Sequence, residues 1–133
     1  MRAEKVIYAL LTGSEALTAL VGSKVYPGLI PQNTPMPAVS YELISSVDIA
    51  PINAQAGGVI LRSRVQVSVL ARTYAEVKAI QEAIREALLF KRGLISGVQV
   101  IAITRELVGP DERDDEAALY MQGVDYMLMH DET

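Results

Sequence analysis

Few arrangements of side chains in this sequence suggest nucleophilic or acid–base chemistry. His130 is the one histidine among the 133 residues. No serine and acid share a structural context with it, as a Ser–His–acid set requires, and its position near the end of the given sequence predicts an exposed side chain. Cysteine is absent, which excludes thiol nucleophiles, disulfides and thiolate zinc sites. We therefore expect no enzymatic activity and no catalytic residue.

Two other patterns resemble ligand sites without meeting their requirements. Gly57 and Gly58 do not follow a strand in a phosphate-loop pattern, so nucleotide binding is not predicted. The acidic residues between Asp111 and Glu116 lack the alternating ligands and the distal glutamate of a calcium loop. That segment is predicted to be a solvated turn, and no metal or cofactor is expected.

The remaining candidates are side chains on the polar or second faces of predicted strands. Arg62, Arg64 and Gln66 alternate with apolar residues, which is the pattern of a half-buried strand. Such a face could line a lumen, meet a neighbouring subunit or simply face solvent. Near the end of the sequence, Met127 and Met129 lie opposite the core side of their strand, where methionine suits an irregular subunit contact or a second buried face.

A further strand, predicted over residues 98–108, is apolar on both of its faces. Alternation places Val98, Val100 and Ala102 on one face and Ile101 and Ile103 together on the other. A strand of this kind is covered on both sides, or has one side buried in a subunit contact.

Both helices and strands are predicted to position these residues. Apolar spacing predicts helices over residues 4–11, 14–21 and 74–89, the last with a capping box at Thr73 and Glu76. Strands are predicted from Ala38 and over 59–69, 98–108 and 118–129, and a proline-rich extended connector over 27–37. The predicted fold is α+β, with a four-stranded, mainly antiparallel sheet, two helical segments packed on one face, and the order α(α)ββαββ.

The segment from residue 45 to residue 58 has no clean period and contains proline and glycines. It is predicted to be either a mobile loop or the tip of a long twisted hairpin. Segments of this kind can order against a partner. The candidate partner-contacting residues in it are Asp48, Ile49, Ile52, Asn53 and Gln55.

Composition sets the remaining limits. The sequence is 50% hydrophobic and 21% charged, which predicts one globular domain over residues 1–133. A net charge of −4 argues against a nucleic-acid-binding or anionic-membrane surface, since those need dense lysine and arginine. Since no apolar run approaches ~18 residues, no membrane span is predicted. A secretory leader is not predicted either.

Several stretches, in the right order and across nearly the whole chain, resemble a family of small tail completion proteins of long-tailed phages, also called tail terminator or tail-to-head joining proteins. They are Tyr8–Leu11 and Ala16–Gly22 leading into Val25–Pro27, then Pro37–Tyr41, Arg64–Val67 followed by Tyr74–Val77, and Gly123–Tyr126.

The resemblance implies a structural virion protein rather than an enzyme. Family members are expected to form a homo-hexameric ring that caps the head-proximal end of the tail tube and ends its polymerisation. The implied partners are further copies of the chain, the tail tube protein and the head connector or stopper protein. DNA would only pass through the lumen, no membrane would be involved, and assembly would take place in the host cytoplasm.

Within such a ring, a set of residues becomes the predicted subunit interface or lumen: Arg62, Arg64, Gln66, Ile101, Ile103, Met127 and Met129. The segment containing Asp48 becomes the loop that contacts the tube or the connector. Two alternatives remain open: another neck subunit, such as a head-completion or stopper protein, and a small dimeric ferredoxin-like ligand-binding or regulatory domain.

Overall fold

A computed structural model describes residues 2–49 and 60–131, which form three helices and seven strands. The helices are α1 (Arg2–Thr12), α2 (Glu15–Val21) and α3 (Tyr74–Leu88). Four strands are long: β2 (Ala38–Ile49), β3 (Ile60–Ala71), β5 (Val98–Val108) and β7 (Leu119–Asp131). Three strands of three residues complete the set: β1 (Val25–Pro27), β4 (Gly93–Ile95) and β6 (Glu112–Asp114).

The strands form one curled, mixed sheet in the order β1-β2-β3-β7-β5-β4, with β6 paired to β7. β1 runs parallel to β2, and every other pairing in the described sheet is antiparallel. The predicted four-stranded sheet with the order α(α)ββαββ is therefore wrong. The observed order of elements is ααβββαββββ.

The error lies in the three short strands, because three residues are too few for an alternating pattern to show. β1 ends on a proline of the predicted connector, and β4 begins at Gly93, shortly after the predicted end of the third helix. β6 occupies part of the predicted acidic turn. The four long strands lie where alternation predicted them.

The helix ends follow from local hydrogen bonding. Ser14 caps α2, because its Oγ accepts a hydrogen bond from the Leu17 amide at 3.2 Å. Thr73 caps α3 by accepting from the Glu76 amide at 3.1 Å. The carboxylate of Glu76 accepts from the amide of Arg72 at 3.3 Å, one residue before the amide that a standard capping box would use.

A single hydrophobic core joins the helices to one face of the sheet. It includes Ile7 of α1, Ile84 of α3, Val67 of β3 and Tyr126 of β7. The three helices therefore cover one face of the sheet, where two helical segments were predicted. None of the helices in the described ranges is long and apolar enough to span a membrane.

Candidate functional site

The face of the sheet turned away from the helices carries most of the side chains that the sequence singled out. In register, Arg62 lies opposite Met129 and Arg64 lies opposite Met127. Directly paired residues of neighbouring strands point to the same side of a sheet. We call this surface the outer face and define it by Glu42, Arg62, Arg64, Gln66, Asp125, Met127 and Met129.

The centre of the outer face is a polar cluster around Asp125. This carboxylate is 7% exposed and accepts hydrogen bonds from Arg64 Nε at 2.8 Å and from Gln66 Nε2 at 3.1 Å. The arginine charge is therefore compensated within the chain. Asp125 was not among the predicted site residues, because its contact with Arg64 depends on how β3 pairs with β7, which alternation within one strand does not reveal.

Methionine and arginine occupy the part of the outer face near Ile49 of β2 and Ile60 of β3. Met127 and Met129 are partly exposed, and Arg62 is exposed. The five predicted residues Arg62, Arg64, Gln66, Met127 and Met129 thus lie together on one surface. That this surface is an interface or a lumen stays a prediction.

The two isoleucines of β5 do not share a face. A register shift between Val100 and Ala102 makes Ile101 an extra residue in its pairing with β7. As a result Ile103 is fully buried in the core, whereas Ile101 is 45% exposed. The alternation that placed the two together is broken by this bulge.

The predicted partner-contacting segment is only partly described. Asp48 and Ile49 are the last two residues of β2 and pair with Leu61 and Ile60. Strand β2 therefore continues further than the irregular composition suggested. Three other residues of the prediction lie outside the described residues: Ile52, Asn53 and Gln55.

The histidine is buried rather than exposed as predicted, with 1% of its surface accessible. His130 Nδ1 lies 2.7 Å from the carbonyl oxygen of Asp131, which can only accept, so Nδ1 carries the proton. Its Nε2 then accepts from the hydroxyl of Ser63 at 2.8 Å, and Ser63 in turn accepts from Ser46 at 2.9 Å. Buried in this chain of hydrogen bonds, His130 and Ser63 have a structural role.

A second polar cluster ties the segment after β5 to α3. Lys78 donates hydrogen bonds to Asp111 and to Gln122, and Tyr74 donates to Asp111. The hydrogen bond to Asp111 raises the pKa of Lys78, and the same bond lowers the pKa of Asp111. Over residues 2–49 and 60–131, no group of three or more histidine or acidic side chains is arranged to hold a metal ion.

Apolar side chains are exposed at both sides of the sheet. On one side Phe90 is 75% exposed and Leu94 is 72% exposed, and Ile101 of β5, beside Phe90, is 45% exposed. On the other side Ile44 and Val47 of β2 are exposed. Contiguous exposed apolar patches are typical of protein–protein contacts.

These features define the class of protein: a curled sheet covered by helices on one face, with apolar side chains exposed at its sides and a compensated polar cluster around Asp125 on the other face. The family model described as "Tail completion protein gp17" matches residues 5–131, and the chain belongs to that family. None of the curated proteins compared with the chain matches it.

Solved structures contain the same fold. One chain from a structure described as the virion of a native gene transfer agent particle superposes with a TM-score of 0.79 at 20% sequence identity. The match covers 95% of this chain and 92% of that one. At that identity the likeness establishes the fold. Membership of the tail completion family identifies the chain as a structural protein of phage-like tails and a component of the virion.

Proposed function

We propose that this protein closes as a homo-hexameric ring on the head-proximal end of the tail tube, ends tube polymerisation and forms the joint to the head connector. The observation that carries the proposal is the exposure of apolar side chains on two opposite, unlike sides of the sheet. Phe90, Leu94 and Ile101 lie on the β4–β5 side, and Ile44 and Val47 lie on the β2 side.

Unlike surfaces on opposite sides favour head-to-tail association. When surface A of one copy binds surface B of the next, the copies close into a ring if the rotation between them divides a full turn. A two-fold dimer would instead bury one surface against its own equivalent and leave the other exposed. The number six comes from the family resemblance.

The outer face suits a DNA-conducting lumen. A channel that neutralised many phosphates would bind DNA tightly and slow its passage. Arg64 is already paired with Asp125, and Gln66 is neutral, which leaves Arg62 as the predicted lumen arginine that forms no ion pair with a residue of 2–49 or 60–131. The net charge of −4 also disfavours strong retention of DNA.

The proposed contact with the tube or the connector is the end of the β2–β3 pair at Ile49 and Ile60. Asp48 and Ile49 extend β2 beyond the part that packs under the helices, since residues 42–48 of β2 are exposed along their length. In this proposal the neighbouring tube protein or connector covers that end during assembly in the host cytoplasm.

Two measurements test the function. Light scattering or sedimentation of the purified protein should give six times the 14.4 kDa chain mass, either alone or after addition of purified tail tubes. Co-sedimentation with tubes should give stoichiometric binding at one end, with tube lengths no longer increasing. A stable dimer that does not bind tubes would favour the alternative of a small ligand-binding or regulatory domain. Binding to the connector in the absence of tubes would favour another neck subunit.

A further inference from the structure

Two long strands present backbone edges that the described chain covers only in part. β1 pairs with β2 over Val39–Tyr41, and within the described ranges no strand continues beside residues 42–49 on that side. β4 pairs with β5 over Val98–Val100, and beside residues 101–108 the amide of Phe90 donates to the carbonyl of Ile103 at 3.0 Å. Exposed edges of this length pair readily with another strand.

The directions of the strands are right for the two edges to meet. β2, β3, β7 and β5 are successive neighbours and each pairing is antiparallel, so β2 and β5 run in opposite directions. A second copy related by rotation about an axis roughly along the strands brings its β2 beside β5 of the first. The two edges are then antiparallel, as the neighbouring long strands within one copy are.

Charge is also complementary between the two edges. β2 contains Glu42 and Asp48 and no basic residue. The β5 edge contains Arg105 and Glu106, and Arg92 lies beside Ile101 of this strand. One edge is therefore acidic and the other has an excess of basic side chains, which favours the unlike pairing over contact of either edge with itself.

We propose that residues 42–49 of one copy add as an antiparallel strand to residues 101–108 of the next copy, so that one sheet runs continuously around the assembly. This inference rests on the proposed ring and specifies how its subunits join. Exposed apolar side chains beside both edges, such as Val47 and Ile101, become buried in the same contact.

Cysteine cross-linking tests the pairing directly, because the natural sequence contains no cysteine. Ser45 and Thr104 both lie on the outer face, since they pair in register with Arg64 and Met127, which are opposite each other. Strand addition puts these side chains on the same side of the joined sheet. Ser45→Cys is combined in turn with Ala102→Cys, Thr104→Cys and Leu107→Cys, which samples the possible registers along β5.

At least one double variant should form a ladder of covalent multimers on a denaturing gel after mild oxidation, because a disulfide needs Cα atoms closer than about 7 Å. Within a single copy the two positions are three strand spacings apart, about 14 Å, so the cross-link must join two copies. Each single variant should stay monomeric on the gel. The control is Ser45→Cys with Lys5→Cys on exposed α1, which should give no ladder.

The outcomes separate the two proposals. Hexamers by mass measurement without a ladder from any of the three double variants would overturn strand addition and leave the ring intact. Covalent dimers from a single variant would overturn the unlike pairing, since they require an edge to meet its own equivalent. Absence of hexamers, with or without tubes, would overturn the ring and the inference with it.

Discussion

At the scale of single residues, the pair of Arg64 and Asp125 offers the sharpest test of the outer face. Arg64→Met leaves a largely buried carboxylate without its charged partner, and we expect a loss of about 2 kcal/mol in the free energy of unfolding. Asp125→Asn keeps an acceptor for the arginine, which is itself partly exposed, and we expect roughly half that loss. Urea unfolding measures both changes.

The double variant that combines Arg64→Met with Asp125→Asn completes a double-mutant cycle. Its loss should be smaller than the sum of the two single losses, because either single change already removes the charged contact between the two side chains. Strict additivity would contradict the pairing of Arg64 with Asp125.

The buried histidine gives a second test. Ser63→Ala leaves His130 Nε2 buried without a donor, and we expect unfolding to become easier by about 2 kcal/mol. Ser46→Ala removes the exposed end of the same chain of hydrogen bonds and is the matched control, with a loss of about 0.5 kcal/mol or less. Equal losses from the two changes would show that the Ser63–His130 contact is not formed.

Tyr126 predicts how stability responds to alkaline pH. Burial raises its pKa from 10.0 to about 12, so the folded protein keeps it neutral where the unfolded chain ionises. The stability that the neutral Tyr126 side chain contributes to the fold is fully present below pH 10 and is lost as pH rises from 10 through about 12. Tyr126→Phe should therefore lose less stability than the natural protein between about pH 9 and about pH 11. Parallel unfolding curves across that range would contradict the prediction.

Sequence patterns predicted the positions of some of these residues and missed the contacts of others. The outer-face positions of Arg64, Gln66 and Met127 follow from alternation within single strands, which a sequence displays. Asp125 and the Ser63–His130 contact depend on pairing between strands far apart in the chain, which it does not.

At the scale of elements, the cap of α3 is open to a direct test. Thr73→Ala removes the side-chain acceptor of the Glu76 amide and should cost about 1 kcal/mol in the free energy of unfolding. Thr73→Ser keeps the hydroxyl and should change stability by a few tenths of that amount. Thermal or urea unfolding of the two variants separates loss of the cap from loss of the methyl group, and equal losses would argue against capping.

The long elements were predictable because periodicity needs length. Twelve-residue strands such as β3 display their alternation clearly, and α3 has both a stripe of apolar residues and a cap. The three-residue strands β1, β4 and β6 display no period. The bulge at Ile101 depends on pairing with β7, so the sequence placed β5 correctly but assigned Ile103 to the wrong face.

At the scale of the whole molecule, the order of several weak motifs along the chain indicated the family when no single motif was specific. The family match over residues 5–131 confirms that resemblance. The sheet architecture was not accessible in the same way, because the parallel addition of β1 and the placement of β4 and β6 are tertiary pairings of very short segments.

The sheet also accounts for why a structural protein of this size would assemble. Its helices cover one face, while apolar side chains are exposed on two unlike sides and, among the described residues, parts of the β2 and β5 edges pair with no further strand. Identical copies joined through these sides would bury the apolar side chains and pair the strand edges in a single contact.

The most direct test of the central claim is the mass of the assembled protein, measured by sedimentation with and without purified tail tubes. We predict a closed species of six times the 14.4 kDa chain mass. A particle that remains a monomer or a dimer under both conditions would contradict the account.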